Sequence, residues 1–117
     1  MDDEQIVLDV VVEMLQHLGH DVEKAYDGAE AIQAYQQALT AGRRFDLVIL
    51  DLTVPGAMGG KETLKHLIQI DPKVKAVVSS GYASDTTVSD FKLFGFSGVL
   101  GKPYTLHDME KMISSLR

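Results

Sequence analysis

Side chains that could do chemistry follow apolar segments at several points of this sequence. Asp51, Ser79-Ser80 and Lys102 have this placement, and the acidic pair Asp2-Asp3 stands just before the first helical segment. Clustered carboxylates repel one another and raise each other's pKa values unless a cation lies between them. Mg2+ suits such a cluster because it prefers carboxylate, carbonyl, water and phosphate oxygens. A carboxylate there could attack phosphorus and form an aspartyl phosphate, while the cations and the hydroxyl neutralise the transferring oxygens.

Taken singly, each of these residues has a commoner structural explanation. An aspartate after a strand is more often a helix or turn cap, and Asp2-Asp3 can be a solvated end that favours the next helix. The two serines can be loop hydroxyls, and Lys102 can be an ordinary surface lysine. The chemical interpretation therefore depends on whether the fold brings these groups together.

Helical spacing of apolar residues predicts the elements that flank these groups. Gly19 ends the first such segment, and Asp27 with Glu30 forms a capping-box pattern at the start of the second. The predicted helices are residues 4–18, 27–39, 61–70, a short one at 86–94, and a C-terminal helix with Leu106, Met109, Ile113 and Leu116 on one face.

Short segments between these helices, most of them apolar, predict strands. They cover residues 22–26, 45–50, 74–80 and 96–100, and the second reads as a strand buried on both faces. Strands and helices alternate, which predicts an α/β fold with a parallel sheet and helices on both faces. Ligands of such sheets bind beyond the carboxyl ends of the strands, where Asp51, Ser80 and Lys102 fall.

Composition limits the classes of protein that fit. The 117 residues suffice for one domain, and the net charge of -6 argues against non-specific binding to nucleic acid or anionic membranes. There is no cysteine, so disulfides and thiolate metal sites are excluded. No apolar stretch is long enough to span a membrane, and the acidic N-terminus is unlike a secretory signal. We expect a cytoplasmic domain.

At this point the residues resemble the receiver domain of two-component response regulators, over essentially the whole chain. The matching motifs are Asp2-Asp3-Glu4; Asp27, Gly28, Glu30 and Ala31; residues 45–51; Ser80-Gly81-Tyr82; and Lys102-Pro103-Tyr104. Residues 51–60 are similar to receivers attached to hybrid sensor kinases, with a loop one residue longer than the commonest form. The resemblance implies a doubly wound, flavodoxin-like sheet and a phosphorelay role.

The resemblance also implies a role for each site residue. Asp51 would be the phosphoacceptor, taking its phosphoryl group from a histidine kinase or phosphotransfer protein. Asp3 would bind Mg2+ directly, Asp2 would act partly through water, and the backbone carbonyl of Thr53 would complete the coordination. Ser80 would be the switch hydroxyl, and Gly81 would be its small neighbour. Lys102 would pair with the phosphoryl oxygens, and Pro103 would fix the following turn through a cis peptide bond.

Two positions depart from the family pattern. Val99 stands where many members have an aromatic residue that moves with the switch hydroxyl; Tyr82 and Tyr104 are near enough in sequence to serve as reporters. The family's first strand precedes the acidic pair, in an expected sheet order of 2-1-3-4-5, whereas here Met1 precedes it directly. We therefore predict a single domain over residues 1–117 that is shortened at its N-terminus. Its remaining strands would be rearranged, or another copy would supply a strand. Asp2-Asp3 would then lie at a free end, where fraying is expected.

Three functions fit these observations to different extents. The first is phosphorelay signalling, in which phosphorylated Asp51 alters a protein-binding surface formed by residues 86–94, the last strand and the last helix. The second is a phosphatase with an aspartyl-phosphate intermediate, which needs an acid two residues after the nucleophile, where Thr53 stands. The third is a receiver-like interaction module that is not phosphorylated. Only the phosphatase would be an enzyme that turns over an external substrate. A phosphorelay receiver would catalyse only its own phosphorylation and dephosphorylation, so we expect a signalling phosphoacceptor and not an enzyme.

Overall fold

The computed structural model describes residues 1–81 and 86–116. These contain five α-helices, one 3-10 helix and three strands. The helices are α1 (Gln5–His17), α2 (Gly28–Thr40), α3 (Gly60–Ile70), α4 (Thr86–Ser89) and α5 (Leu106–Ser115), with the 3-10 helix at Phe91–Phe94. The strands are β1 (Val48–Asp51), β2 (Ala76–Ser80) and β3 (Gly98–Gly101).

The three strands form one parallel sheet in the order β1-β2-β3. All five residues of β2 are buried, because this strand has a neighbour on each edge and helices on both faces. The register pairs Asp51 with Ser79 and Ser80 with Gly101. The carboxyl ends of all three strands therefore lie side by side, which is where the sequence predicted the chemistry.

Two hydrophobic layers cover the two faces of the sheet. On one face, α2 and α3 contribute buried side chains such as Tyr35, Leu64 and Leu67, which pack with Val78. On the other, α1 and α5 contribute Val11, Met109 and Met112, which pack with Val77. The predicted α/β architecture with helices on both faces is confirmed. Among the described residues, no helix has both the length and the apolar character needed to cross a membrane.

The expected strand at residues 22–26 is not formed. Of this segment's backbone groups, the carbonyl of Ala25 accepts a hydrogen bond from the N–H of Asp2 at 3.1 Å. On the other side of the chain's first residues, the amino group of Met1 donates to the carbonyl of Ile49 at 2.6 Å. Met1 and Asp2 thus lie between residues 22–26 and β1, and each of these segments is bonded to them only near its C-terminal end. Without a neighbour along its length, the segment lacks the ladder that makes a strand.

The predicted helices agree with the structure except in the fourth case. There, residues 86–94 divide into α4 and the 3-10 helix at Asp90, and the 3-10 helix ends at Gly95, whose φ is +96°. Asp27 caps α2 as predicted, because its side chain accepts a hydrogen bond from the N–H of Glu30 at 2.9 Å. Of the loop expected at 81–85, only Gly81 lies within the described residues.

Candidate functional site

Asp51 is the last residue of β1, and its side chain is buried, with 5% of its surface exposed. Its N–H donates a hydrogen bond to the carbonyl of Met1 at 2.9 Å. The next residue, Leu52, donates its N–H to the carbonyl of Ser79 at 2.9 Å, so the chain stays in the sheet past Asp51. Backbone bonds on both sides therefore fix the direction of the Asp51 carboxylate.

Asp2 and Asp3 meet Asp51 at this edge of the sheet. One carboxylate oxygen from each of the three residues lies within 4.8 Å of the others. Asp2 is buried, with 4% exposure, and accepts a hydrogen bond from the N–H of Glu4 at 3.0 Å, whereas Asp3 is exposed. Met1 and Asp2 are bonded to the segments on either side of them, and the expected fraying of the acidic pair stays a prediction.

Lys102 enters the same cluster from the end of β3. Its Nζ lies 2.7 Å from an oxygen of Asp2 and 3.3 Å from an oxygen of Asp51. The Lys102 N–H donates to the carbonyl of Ser80 at 2.8 Å, which ties the residue to β2. The Lys102–Pro103 peptide bond is cis, as expected. One ammonium thus bridges two buried carboxylates.

The pKa values follow from this crowding. Burial, together with the negative charge of Asp2, raises the pKa of Asp51 to about 6, even though Lys102 acts in the opposite direction. Burial disfavours the charge of Lys102, but its hydrogen bond to Asp2 and the charges of Asp51 and Asp2 outweigh that, so its pKa is raised. The lysine therefore stays charged, while the carboxylates are left with uncompensated negative charge. That is the electrostatic condition a divalent cation relieves.

The hydroxyls of β2 lie at the adjoining strand end. Ser80 is buried at the last position of the strand, opposite Gly101. Ser79 is paired with Asp51, and its Oγ is buried. Gly81 is exposed, and a Cβ added there would meet no described atom within 4 Å.

The loop after Asp51 returns to the site through two glycines. Thr53 is exposed two residues after Asp51. A Cβ on Gly60 would lie 2.7 Å from the backbone oxygen of Asp51, and one on Gly59 would touch the backbone oxygen of Leu52. The first turn of α3 therefore packs directly against the end of β1, and only glycine allows so close an approach.

Three further residues complete the description of the site. Val99 is partly buried and packs against the core on the α2–α3 face. Tyr104 packs on the α1–α5 face, and burial raises the pKa of its phenol. Tyr82 lies outside the described residues.

Met1 is the contributor that reasoning from the sequence missed. Its amino group bonds Ile49, its carbonyl accepts from Asp51, and burial lowers the pKa of the amino group to about 6. Two signals pointed to it. Met1 is the direct neighbour of Asp2, and the backbone groups of a buried strand must be satisfied on both of its edges.

Comparison with known proteins places this geometry in a family. The family model described as the response regulator receiver domain matches residues 1–114. A response regulator receiver protein of Anaeromyxobacter is 32% identical over 103 residues, which cover 88% of this chain and 41% of the relative. Sporulation initiation phosphotransferase F of Bacillus subtilis is 24% identical, covering 97% of this chain and 86% of that protein. The chain spans less than half the length of several curated relatives that it matches.

Solved structures show the same fold. The chemotaxis protein CheY4 of Vibrio cholerae is 28% identical, with a TM-score of 0.87 over 99% of this chain and 93% of that protein.

Proposed function

Because the chain belongs to the response regulator receiver family of two-component signalling, we propose that Asp51 accepts a phosphoryl group in an Mg2+-dependent reaction. The observation that carries the proposal is the Lys102 ammonium, which lies 2.7 Å from Asp2 and 3.3 Å from Asp51 beside a third carboxylate. A structural salt bridge needs one carboxylate for one ammonium. The surplus of buried negative charge favours a site built for a cation and a phosphoryl group.

The chain's own residues suit an in-line transfer. An oxygen of Asp51 attacks the phosphorus of a phosphohistidine, the phosphorus–nitrogen bond breaks, and its electrons leave with the imidazole, which takes up a proton. The raised pKa of Asp51, at about 6, still leaves the nucleophile mostly ionised near pH 7. Lys102 then pairs with a phosphoryl oxygen in place of one of its carboxylate contacts.

The acidic cluster fits Mg2+ by its donor chemistry. Its carboxylate oxygens converge within 4.8 Å, and Mg2+ prefers such hard oxygen ligands. Asp3 and Asp51 would bind the ion directly, Asp2 partly through water, and the carbonyl of Thr53 would add a backbone ligand. When bound, Mg2+ neutralises charge on the phosphoryl oxygens during transfer.

Ser80 and the neighbouring elements would convert phosphorylation into a change of binding. The Ser80 hydroxyl would turn toward a phosphoryl oxygen, and Gly81, as its small neighbour, would leave it access. Phosphorylation would change the surface formed by residues 86–94, β3 and α5. We propose that a downstream protein or an attached domain binds this surface. The phosphodonor would be a sensor histidine kinase or phosphotransfer protein in the cytoplasm.

The direct test is incubation with acetyl phosphate and Mg2+, followed by intact-mass measurement. We expect the wild type to gain one phosphoryl group in the presence of Mg2+ and none when Mg2+ is chelated before the reaction. Asp51→Asn should gain none, because an amide is not a nucleophile toward phosphorus. Asp46→Asn is the matched control: it removes an exposed aspartate of the same segment and should react like the wild type. Folded wild type that gains no mass would leave the unphosphorylated interaction module as the better description.

A further inference from the structure

Exposed apolar side chains form two separate faces on this molecule. Among the described residues, the most exposed large apolar side chains are Leu93 at 84% and Ile6 at 80%. Ile68, at 36% exposure, is on α3, which lies beside the 3-10 helix that holds Leu93, because Ile68 reaches Gly95 at the end of that helix. Val10, at 45%, lies one helical turn from Ile6. Exposed apolar clusters of this kind mark interaction sites more often than isolated apolar residues do.

The first of these, here called the acidic face, lies on α1. It consists of Ile6 and Val10 with the exposed carboxylates of Asp9 and Glu13, which are also one turn apart. Asp9 has an ion pair with Lys24, but the two groups are 3.5 Å apart and about half exposed, so the pair holds Asp9 weakly. Within α1 the basic side chain is His17, in the last turn.

The second, here called the basic face, joins α3 to the 3-10 helix. Gly95 brings the two elements together, because a Cβ there would lie 2.9 Å from the Cδ1 of Ile68. Lys61 lies over the ring of Phe94, with its Nζ 4.3 Å from the ring centre.

Lysines dominate the charge of the basic face. Ile68 and Leu93 are its apolar centre, and its exposed lysines are Lys61, Lys65 and Lys92. Glu62 and Asp90 are the acidic side chains nearby, and they are outnumbered. An open cleft of about 470 Å³, lined in part by Lys65 and His66, runs beside it along α3.

The two faces are complementary in charge and alike in apolar character, yet they cannot meet within one chain. The acidic face belongs to the helix layer of α1 and α5, whereas the basic face belongs to the layer of α2 and α3 on the other side of the sheet. We propose that the acidic face of one copy binds the basic face of a second copy. The contact pairs two different surfaces, so it repeats from copy to copy instead of closing as a symmetric dimer.

The association is expected to be weak and salt-sensitive, because each face has two exposed apolar anchors and a rim of solvated charges. It requires no phosphoryl group and can be tested on the unmodified chain. Failure of phosphorylation at Asp51 therefore leaves it intact, and the reverse also holds.

Sedimentation velocity of the full chain over a concentration series tests the proposal. From about 20 µM to about 1 mM, the wild type should show a rising weight-average mass, and added salt should suppress the rise. Ile6→Asp and Leu93→Asp should each weaken association at least about tenfold. Tyr26→Asp is the matched control, because Tyr26 is 40% exposed and lies on neither face. Circular dichroism of each variant confirms that it is folded.

Mixing the two variants distinguishes this contact from any symmetric one. Leu93→Asp keeps the acidic face and Ile6→Asp keeps the basic face, so an equimolar mixture should form a one-to-one pair that neither variant forms alone. A wild type that remains monomeric across the series would overturn the proposal. So would a mixture that does not associate, or a loss of association in only one of the two variants, which would indicate a symmetric interface.

Discussion

At the scale of single residues, the site is defined by a carboxylate that the fold does not fully neutralise. Asp51 is 5% exposed and has Lys102 within 3.3 Å, yet burial and Asp2 still raise its pKa to about 6. A group whose pKa is higher in the folded state than its ordinary value of 3.8 penalises the fold once it ionises. The penalty is absent below the ordinary pKa, grows as pH rises between the two values, and is complete above about 6.

We therefore expect Asp51→Asn to stabilise the protein at neutral pH without Mg2+. The gain in unfolding free energy at pH 7 should be about 1–3 kcal/mol and should vanish below about pH 4, where Asp51 is protonated in both states. Urea unfolding followed by circular dichroism across this pH range measures it. Asp46→Asn, which alters an exposed carboxylate, should show no such pH-dependent gain. A less stable Asp51→Asn at pH 7 would contradict the prediction.

Mg2+ should also offset the cost of the ionised Asp51, by binding it in the folded state. Binding to the folded state stabilises the wild type in proportion to the logarithm of the ion's concentration, provided that the unfolded chain does not bind it. We expect the thermal midpoint of the wild type to rise with added Mg2+ and that of Asp51→Asn to change much less. Ca2+-free, EDTA-treated samples give the baseline, and equal shifts in both proteins would show that the ion binds elsewhere.

At the scale of elements, the site depends on how closely α3 approaches β1. A Cβ on Gly60 would lie 2.7 Å from the backbone oxygen of Asp51, so Gly60→Ala forces the helix start or the strand end to move. We expect it to lower the unfolding free energy by about 1–3 kcal/mol, as overpacking does, and to slow phosphorylation of Asp51. Gly101→Ala is the control, since a Cβ there meets no described atom within 4 Å. Unfolding curves and the acetyl phosphate assay measure both effects.

The same scale shows what sequence could and could not predict. Helix periodicity and the Asp27 cap predicted α2 correctly, because these signals act within one turn of chain. Residues 22–26 were a strand candidate, but a strand requires a neighbour with free backbone groups, and local propensity contains no information about neighbours. The break between α4 and the 3-10 helix was missed for a related reason. Ser89 and Asp90 favour capping over helix interiors, but the apolar spacing around them is helical.

At the scale of the whole molecule, the strand order predicts a gradient of stability across the sheet. β2 is bonded on both edges and fully buried, whereas residues 22–24 have no backbone partner in the described part of the chain. Native-state hydrogen exchange should find the amides of β2 protected at least about a thousandfold more than those of residues 22–24. Equal protection would mean that residues 22–24 are paired with a strand, from another copy or elsewhere.

The convergence of the site was also a prediction at this scale. Parallel strands end at one edge, so Asp51, Ser80 and Lys102 had to meet once the alternation of strands and helices was recognised. The anchoring of Asp2 could not be predicted in the same way. It depends on hydrogen bonds from Met1 and Asp2 to Ile49, Asp51 and Ala25, which are set by three-dimensional placement and not by any residue type.

The turn between α2 and β1 has a practical use that follows from its position. Ala41 to Arg44 are exposed, and Gly42 turns the chain there with a φ of +74°. The turn precedes β1, so it lies at the edge of the sheet opposite Asp51. Loop tips of this kind tolerate inserted sequence. A circularly permuted fluorescent protein or a short epitope placed after Gly42 would therefore label the domain without occupying its reactive edge.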